Sequence, residues 1–459
     1  MTSGPSPRPV RRAPSEFSLP VDRTHLARRL ATSPDWLIAD RTAGFDAFEA
    51  LPPETNLLYT TYLDLRPADL AEATIVEVAE GAGGARAHET SVPDGVDGIL
   101  EIHDGIAVSA GLSADARAAG VTLGSLTELL ATDPDRAKAL LDGTDGLPTD
   151  DRFAQLTRAL WNTGTVLDVP AGVTLAKPIL LRWASGTPGL AVFGRTVICL
   201  GDGAGASIVE ELVPSGAGQG GPQSFLAGSS EVTLGAGAAL SVASIQELGP
   251  QAITFQHRTA RIGEGASLHW ALAQLGSRMT RSRVDNRLEG DRSSVEQAEI
   301  IFGGADQLFD LTSYTRHVGR DTTGNLLSKG ALLDKARGFM KGMITIERSA
   351  VGTDSYLGEF GMNLSREARS VAIPSLEIDQ PDCRRAAHAS SVGPIDEAQL
   401  FYLESRGIPP DEARKFIVLG FLEPVVARVP LADAQDRLRS LLEEKWDAGS
   451  GGPAADAAA

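Results

Sequence analysis

The side chains able to do chemistry near the end of this chain are few and widely spaced. His388 stands in "RRAAHASSVGP", bounded by Ala387 and Ala389. A neutral imidazole there can ligate iron or hold an interface carboxylate or thiolate; taken alone, it reads equally as a packed structural histidine. Cys383, in "DQPDCRR", lies five residues upstream beside Arg384 and Arg385, a setting that favours a reactive thiol. Five extended residues span roughly 17 Å, so Cys383 joins His388 only if the chain bends between them, and a surface thiol is the simpler reading. Glu359, in "LGEFG", offers oxygen to ferrous iron, against the plainer reading of a solvated turn glutamate. Cys199, in "TVICLGDG", sits within an apolar strand and reads as core. His257 and His317 occupy polar strand contexts, read as surface or ladder residues, and stay outside the candidate site.

Composition narrows what such residues can serve. The 459 residues carry 60 acidic against 42 basic side chains, a formal net charge of -18, and no basic run able to track a phosphate backbone. Nucleic acid is therefore not expected as a partner. No apolar stretch approaches the roughly 20 residues a membrane helix needs, and the Pro/Arg/Ser-rich start lacks an apolar core for secretion. The expectation is a soluble cytoplasmic protein with a disordered leader over 1–20 and a disordered tail over 447–459. Two cysteines exclude a four-cysteine zinc or cluster site within one chain. Any metal chemistry must borrow ligands. No G-x-x-x-x-G-K-[ST] loop occurs, so a scaffold rather than an enzyme is expected, with ATP hydrolysis left to a partner.

The elements that would position these residues fall into three regions. Over 21–164, Leu26, Leu30, Trp36, Leu37, Phe45 and Phe48 have helical spacing, a mixed α+β stretch follows, and "DRFAQLTRALWNTG" reads as a helix ended by Gly164. Over 165–393, short β-branched strands alternate with glycine turns. Three turns resemble one another, beginning at Gly203, Gly235 and Gly263 and spaced 32 and 28 residues apart. Recurrence without a strict period suits stacked coils of a β-solenoid. A β-sandwich would place hairpin Asp-Gly turns in this region, and most lie ahead of it. Over 394–446 the chain is helical: Asp396 can cap a helix with Gln399 at N3 and Leu400, Phe401 and Leu403 on its apolar face. A second helix after Pro409-Pro410 carries Phe416, Ile417 and Phe421, more apolar surface than two short helices bury between themselves. These three either anchor a partner or pack under the solenoid's open end.

The residues from Gly319 to Pro424 resemble the SufB/SufD family, which builds iron-sulfur clusters. The resemblance rests on "GRDTTGNLLSKGALLDKARGFMKGMITIERSAVGTDSY", on "IPSLEI" and on "VGPIDEAQLFYLESRGIPPDEARKFIVLGFLEPVV", with "VPAGVTLAKPI" upstream. It implies a mainly β fold: a right-handed parallel β-helix core between a helical N-terminal region and a helical C-terminal domain. It also implies a complex with a SufB-like paralogue and a SufC-like ABC ATPase, the latter docked on the C-terminal helices through Phe416, Ile417 and Phe421. Glu359 stands near the position of the B-type cysteine, and alanines flank His388 where the B-type has acids, so the chain resembles the D-type subunit. The resemblance places His388 at the heterodimer interface, where iron or a nascent Fe-S cluster would be met. Ala386 stands where family members often carry a second cysteine. The alternatives are a structural homodimer without metal chemistry and a β-helix carbohydrate-active enzyme. The latter lacks paired carboxylates and aromatic platforms here.

Overall fold

The computed structural model describes residues 17–449, except 57, 60–61, 78–86, 144–145 and 218–219. From Leu190 onward the chain alternates between two parallel sheets. Leu190–Leu200, Ser224–Leu234, Ala252–Ile262, Met279–Leu288, Leu308–His317, Arg337–Ile346 and Arg369–Ile378 stack in the first. Between them run Gly205–Pro214, Ala239–Gln246, Ser267–Gln274, Ser294–Gly303, Thr323–Leu332, Asp354–Asn363 and Arg385–Pro394, which stack in the second. With Thr163–Val169 and Ile179–Ser185 ahead of them, these pairs make the eight coils of a β-solenoid. The fold is mainly β with helices at both ends, as the sequence leads one to expect.

The coils stay in register through one corner. Gly203, Gly237, Gly265, Arg292, Asp321 and Gly352 have φ of 65, 67, 62, 58, 55 and 77°. Each donates its N–H to a carbonyl in the next coil, from Ala236 for Gly203 to Asp382 for Gly352. Glycine suits this left-handed conformation because it has no Cβ. The strands show that Gly205, Ala239 and Ser267 are equivalent. The turn at Gly203 therefore aligns with Gly237 and Gly265, in steps of 34 and 28 residues, and not with Gly235 and Gly263 as the sequence pattern suggests.

Aliphatic side chains fill most of the lumen, among them Leu167, Ile198, Val232, Ile262, Leu268 and Val295. The first sheet's outer face is covered by N-terminal helices α1 (Arg23–Leu30), α2 (Asp35–Ala50) and α6 (Arg152–Leu160), whose Phe153 joins Phe17, Phe225 and Phe255. Between α2 and α6 lie three shorter helices: α3 (Ala114–Ala118), α4 (Leu126–Thr132) and α5 (Pro134–Asp142). The expected leader lies outside the described residues up to residue 16; from Phe17 the chain is packed in this cluster. Helix α6 stops at Leu160, and Gly164 belongs to the strand after it. Gly164 is there for close approach, since a Cβ would come 2.3 Å from the Arg195 carbonyl.

On the second sheet's outer face sit α8 (Pro410–Val426) and α9 (Ala432–Gly449), preceded by α7 (Glu397–Ser405). Val418, Leu422, Val425, Leu438, Leu442 and Trp446 pack there against Ala271, Ile300 and Leu327. Among the described residues no helix is long and apolar enough to cross a membrane.

Candidate functional site at the open end of the solenoid

The last coil has no successor among the described residues. Arg369–Ile378 pairs only with Arg337–Ile346, and Arg385–Pro394 only with Asp354–Asn363. Two edge strands thus end the molecule side by side. Arg337–Ile346 buries most of its residues, whereas neither terminal strand has a fully buried position. Ile378 and Val392 are exposed there. A long edge of unpaired N–H and C=O groups with apolar side chains is a template for another strand.

His388 lies in the middle of the second of these strands, in register with Leu357, which fills the lumen one coil inward. It is exposed, and its Nδ1 lies 2.9 Å from the Pro374 carbonyl on the neighbouring sheet. Glu359 sits in the preceding coil, in register with Ser390. It is not the solvated turn residue of the simpler reading: it lies mid-strand, 2% exposed. Its Oε2 accepts from Ile373 N at 2.9 Å. Burial pushes the carboxyl up to about 8, the Ile373 N–H opposing, Glu299 adding and Lys341 opposing. Gly342 leaves the space, since a Cβ there would come 2.8 Å from Glu359 Oε1. The second sheet therefore brings His388 and Glu359 to two adjacent residues of the first, Pro374 and Ile373.

Cys383 stays apart from this pair. It precedes the last strand, half-buried against the cluster of Leu326, Ile344, Ile346, Ala350 and Leu357. Its neighbours Arg384 and Arg385 are engaged by Asp321 and Asp354. Among the described residues no three His, Cys, Asp or Glu side chains converge as a metal site. Cys199 is half-buried against the N-terminal cluster, its thiol pushed up to about 12 by burial and by Asp168. The surface reading of His257 and His317 is corrected, since both are fully enclosed. His257 lies 3.2 Å from Asp151, which also binds Arg281 at 2.6 Å. His317 contacts Thr322 and Ser355 hydroxyls, and burial lowers it to about 4.

Beyond the last strand, Asp396 caps α7 by accepting from Ala398 N at 2.9 Å. Helix α7 has no buried residue. Its Phe401 is 72% exposed and Tyr402 56%, and Phe416 on α8 is 56% exposed. Ile417 lines a groove of about 430 Å³ with Ala398, Gln399, Tyr402 and Leu403. Phe421 does something different: it packs toward the solenoid, with Lys329 Nζ 4.5 Å from its ring centre and 2.7 Å from its carbonyl. Tyr402 was not singled out from sequence, although its place between Phe401 and Leu403 already marked an aromatic run.

Residues 183–421 match the family described as SUF system FeS cluster assembly, SufBD core domain. The chain is 30% identical over 303 residues to the iron-sulfur cluster assembly protein SufD of Bacillus subtilis, covering 66% of this chain and 68% of that one. It is 27% identical over 312 residues to an iron-sulfur cluster assembly SufBD family protein of Mycobacterium bovis, covering 66% and 76%. A related protein of Mycobacterium leprae is 27% identical over 310 residues, covering 66% and 77%. With the solenoid, its terminal edge and the matched core together, the chain belongs to the SufBD family of iron-sulfur cluster assembly proteins.

Proposed function

We propose that this chain is the SufD-like subunit of a cytoplasmic SUF scaffold, in which its open solenoid end pairs with the corresponding end of a SufB-like paralogue. The observation that carries the reading is the double edge with His388 exposed at the mouth of the lumen. A second strand pair continuing both sheets would satisfy the free backbone groups and cover Ile378 and Val392. It would also leave His388 at the seam. There its imidazole can ligate iron, or a cluster under assembly, together with thiolates from the partner. In this reading iron is cargo and this chain supplies one of several ligands. Cys383, half-buried one corner away, and Glu359, enclosed behind the seam, are secondary ligands reached only if the end of the solenoid rearranges.

The exposed aromatic face of α7 and α8 is the proposed seat of a SufC-like ATPase. Tyr402 and Ile417 line one groove, and Phe401 and Phe416 are exposed on the same two helices; aromatic anchors dominate interface energetics. ATP-driven movement of the ATPase would then reach the seam through α7, which follows the His388 strand directly.

The experiment is co-expression of the chain with its paralogue and ATPase, followed by native mass measurement and cluster reconstitution. A complex that forms with wild-type protein and is lost on Val392→Asp supports the pairing. A homodimer that ignores both partners would overturn it in favour of a structural role without metal chemistry.

A further inference from the structure

Among the buried polar atoms of the described residues that meet no hydrogen-bond partner within the protein, six lie together in the middle coils of the solenoid. Gln256 Nε2 and the Nε and Nη1 of Arg258 come from one first-sheet strand, and Ser282 Oγ from the next. Gln274 Oε1 and Glu299 Oε1 come from the second sheet. Arg258 points into the lumen, because its Nη2 crosses to Glu210 Oε2 at 2.7 Å and Ser244 Oγ at 2.9 Å. Glu299 is fully buried in register with Ser328; burial raises its carboxyl, opposed by the Arg258 charge and by Ser282, Gln274 and Gln297 at the edge of hydrogen-bonding reach. Yet none of them meets Oε1 in hydrogen-bond geometry.

Arg258 and Gln256 Nε2 can only donate, Gln274 Oε1 and an ionised Glu299 Oε1 can only accept, and Ser282 can do either, yet no donor among them meets an acceptor directly. A buried carboxylate oxygen or guanidinium N–H left without a partner forfeits its hydration with nothing in return, so these atoms need a molecule that donates twice and accepts. Water has that valence. Nearby, a cavity of about 10 Å³ lies among Glu210, Gln256, Ser229, Ser230 and Thr196, close to the least volume that holds one water. Gln256 belongs to both places.

We propose that the lumen binds at least two ordered water molecules, one between Glu210 and Gln256 and one joining Arg258 to Glu299 and Gln274. With the Glu210–Ser244–Arg258 contacts they form a hydrogen-bonded spine along four coils. The spine fixes the separation of the two sheets by hydrogen-bond length, which aliphatic packing does not dictate so sharply.

The test is a crystal structure of the full chain at a resolution that shows water, paired with magnetic relaxation dispersion, which counts long-lived waters in solution. Peaks about 2.6–3.2 Å from Glu299 Oε1 and Arg258 Nη1, and within the Glu210 cavity, are expected. Glu299→Met should remove the water at Arg258 and Gln274 alone, and Gln256→Met the water in the Glu210 cavity alone, each lowering the count by one. Glu299→Gln retains an acceptor and should keep its water, which holds the test open if a methionine variant does not fold. Direct contact between Arg258 and Glu299 with no peak would overturn the proposal. So would a peak ringed by five or more oxygens at cation distances, or a count unchanged in both methionine variants.

Discussion

His388 and Glu359 come from adjacent strands of one sheet and reach adjacent residues of the other, His388 at the Pro374 carbonyl and Glu359 at the Ile373 N–H. The proline matters to this arrangement. It offers a carbonyl but no N–H, and an edge strand is where a sheet tolerates it. One group is exposed and the other enclosed, so the two substitutions should separate function from stability.

His388→Ala removes an exposed ring with one recorded hydrogen bond. We expect stability to change by less than about 1 kcal/mol, read from urea midpoints, while cluster yield in the reconstituted complex falls severalfold. A yield equal to wild type would leave His388 without a part in cluster chemistry.

Glu359 should shape the alkaline side of the stability curve. Its folded value, about 8, lies above the unfolded carboxyl near 4.3. Between these pH values the native state therefore binds more protons than the unfolded state, and stability present below about pH 4 is lost as pH rises toward 8. Glu299, raised to about 7 by burial, acts in the same direction. Urea midpoints measured from pH 5 to 8 should fall in wild type, by a free energy on the order of a few kcal/mol. The fall should be shallower in Glu359→Gln. Identical slopes would show that Glu359 is not protonated in the fold.

The acid side has its own reporter. His317 is enclosed and neutral, lowered to about 4 by desolvation, whereas the unfolded ring titrates near 6.5. The unfolded chain therefore binds more protons between those values, and stability should drop as pH falls from about 6.5 to 4. NMR titration of the ring should show no protonation at pH 5.5; a midpoint near 6.5 in the native protein would contradict the enclosure.

How much of this was legible in the residues depends on the range of the interactions. Recurring glycine turns beginning at 203, 235 and 263 announced the coils, although the shared corner falls at Gly203, Gly237 and Gly265. Arg292 and Asp321 hold the same left-handed corner without the residue that signals it, so the ladder could not be followed further. Glu359 was misplaced because sequence does not say which phase of a strand faces the lumen, and Gly358 beside it suggested a turn. His257 and His317 looked polar in context because their partners lie elsewhere along the chain, Asp151 in one case and Ser355 in the other. The helical tail was readable from its caps and 3–4 spacing. That Phe421 turns to the solenoid while Phe416 turns to solvent depends on the seat of α8 on the second sheet.

The N-terminal region should be held by Asp151 more than by any exposed ion pair. This carboxylate caps α6 by accepting from Phe153 N and Ala154 N at 2.9 and 3.0 Å. It also meets Arg281 at 2.6 Å and His257 at 3.2 Å, all of them buried. Arg281, with the His257 ring and Arg283 beside it, holds it well below the ordinary carboxylate range in spite of full burial. Removing one partner of a buried pair leaves an uncompensated charge and costs about 3–5 kcal/mol, and losing a helix cap adds about 1 kcal/mol. Asp151→Ala should therefore lower stability by several kcal/mol. Proteolysis should then release fragments from the region ahead of residue 160 before it cuts the solenoid. Asp151→Asn keeps the acceptor for α6 and should fall between the two. A variant as stable as wild type would mean that Arg281 finds another anion within reach, and Asp310, which already acts on it favourably, is where that replacement would show.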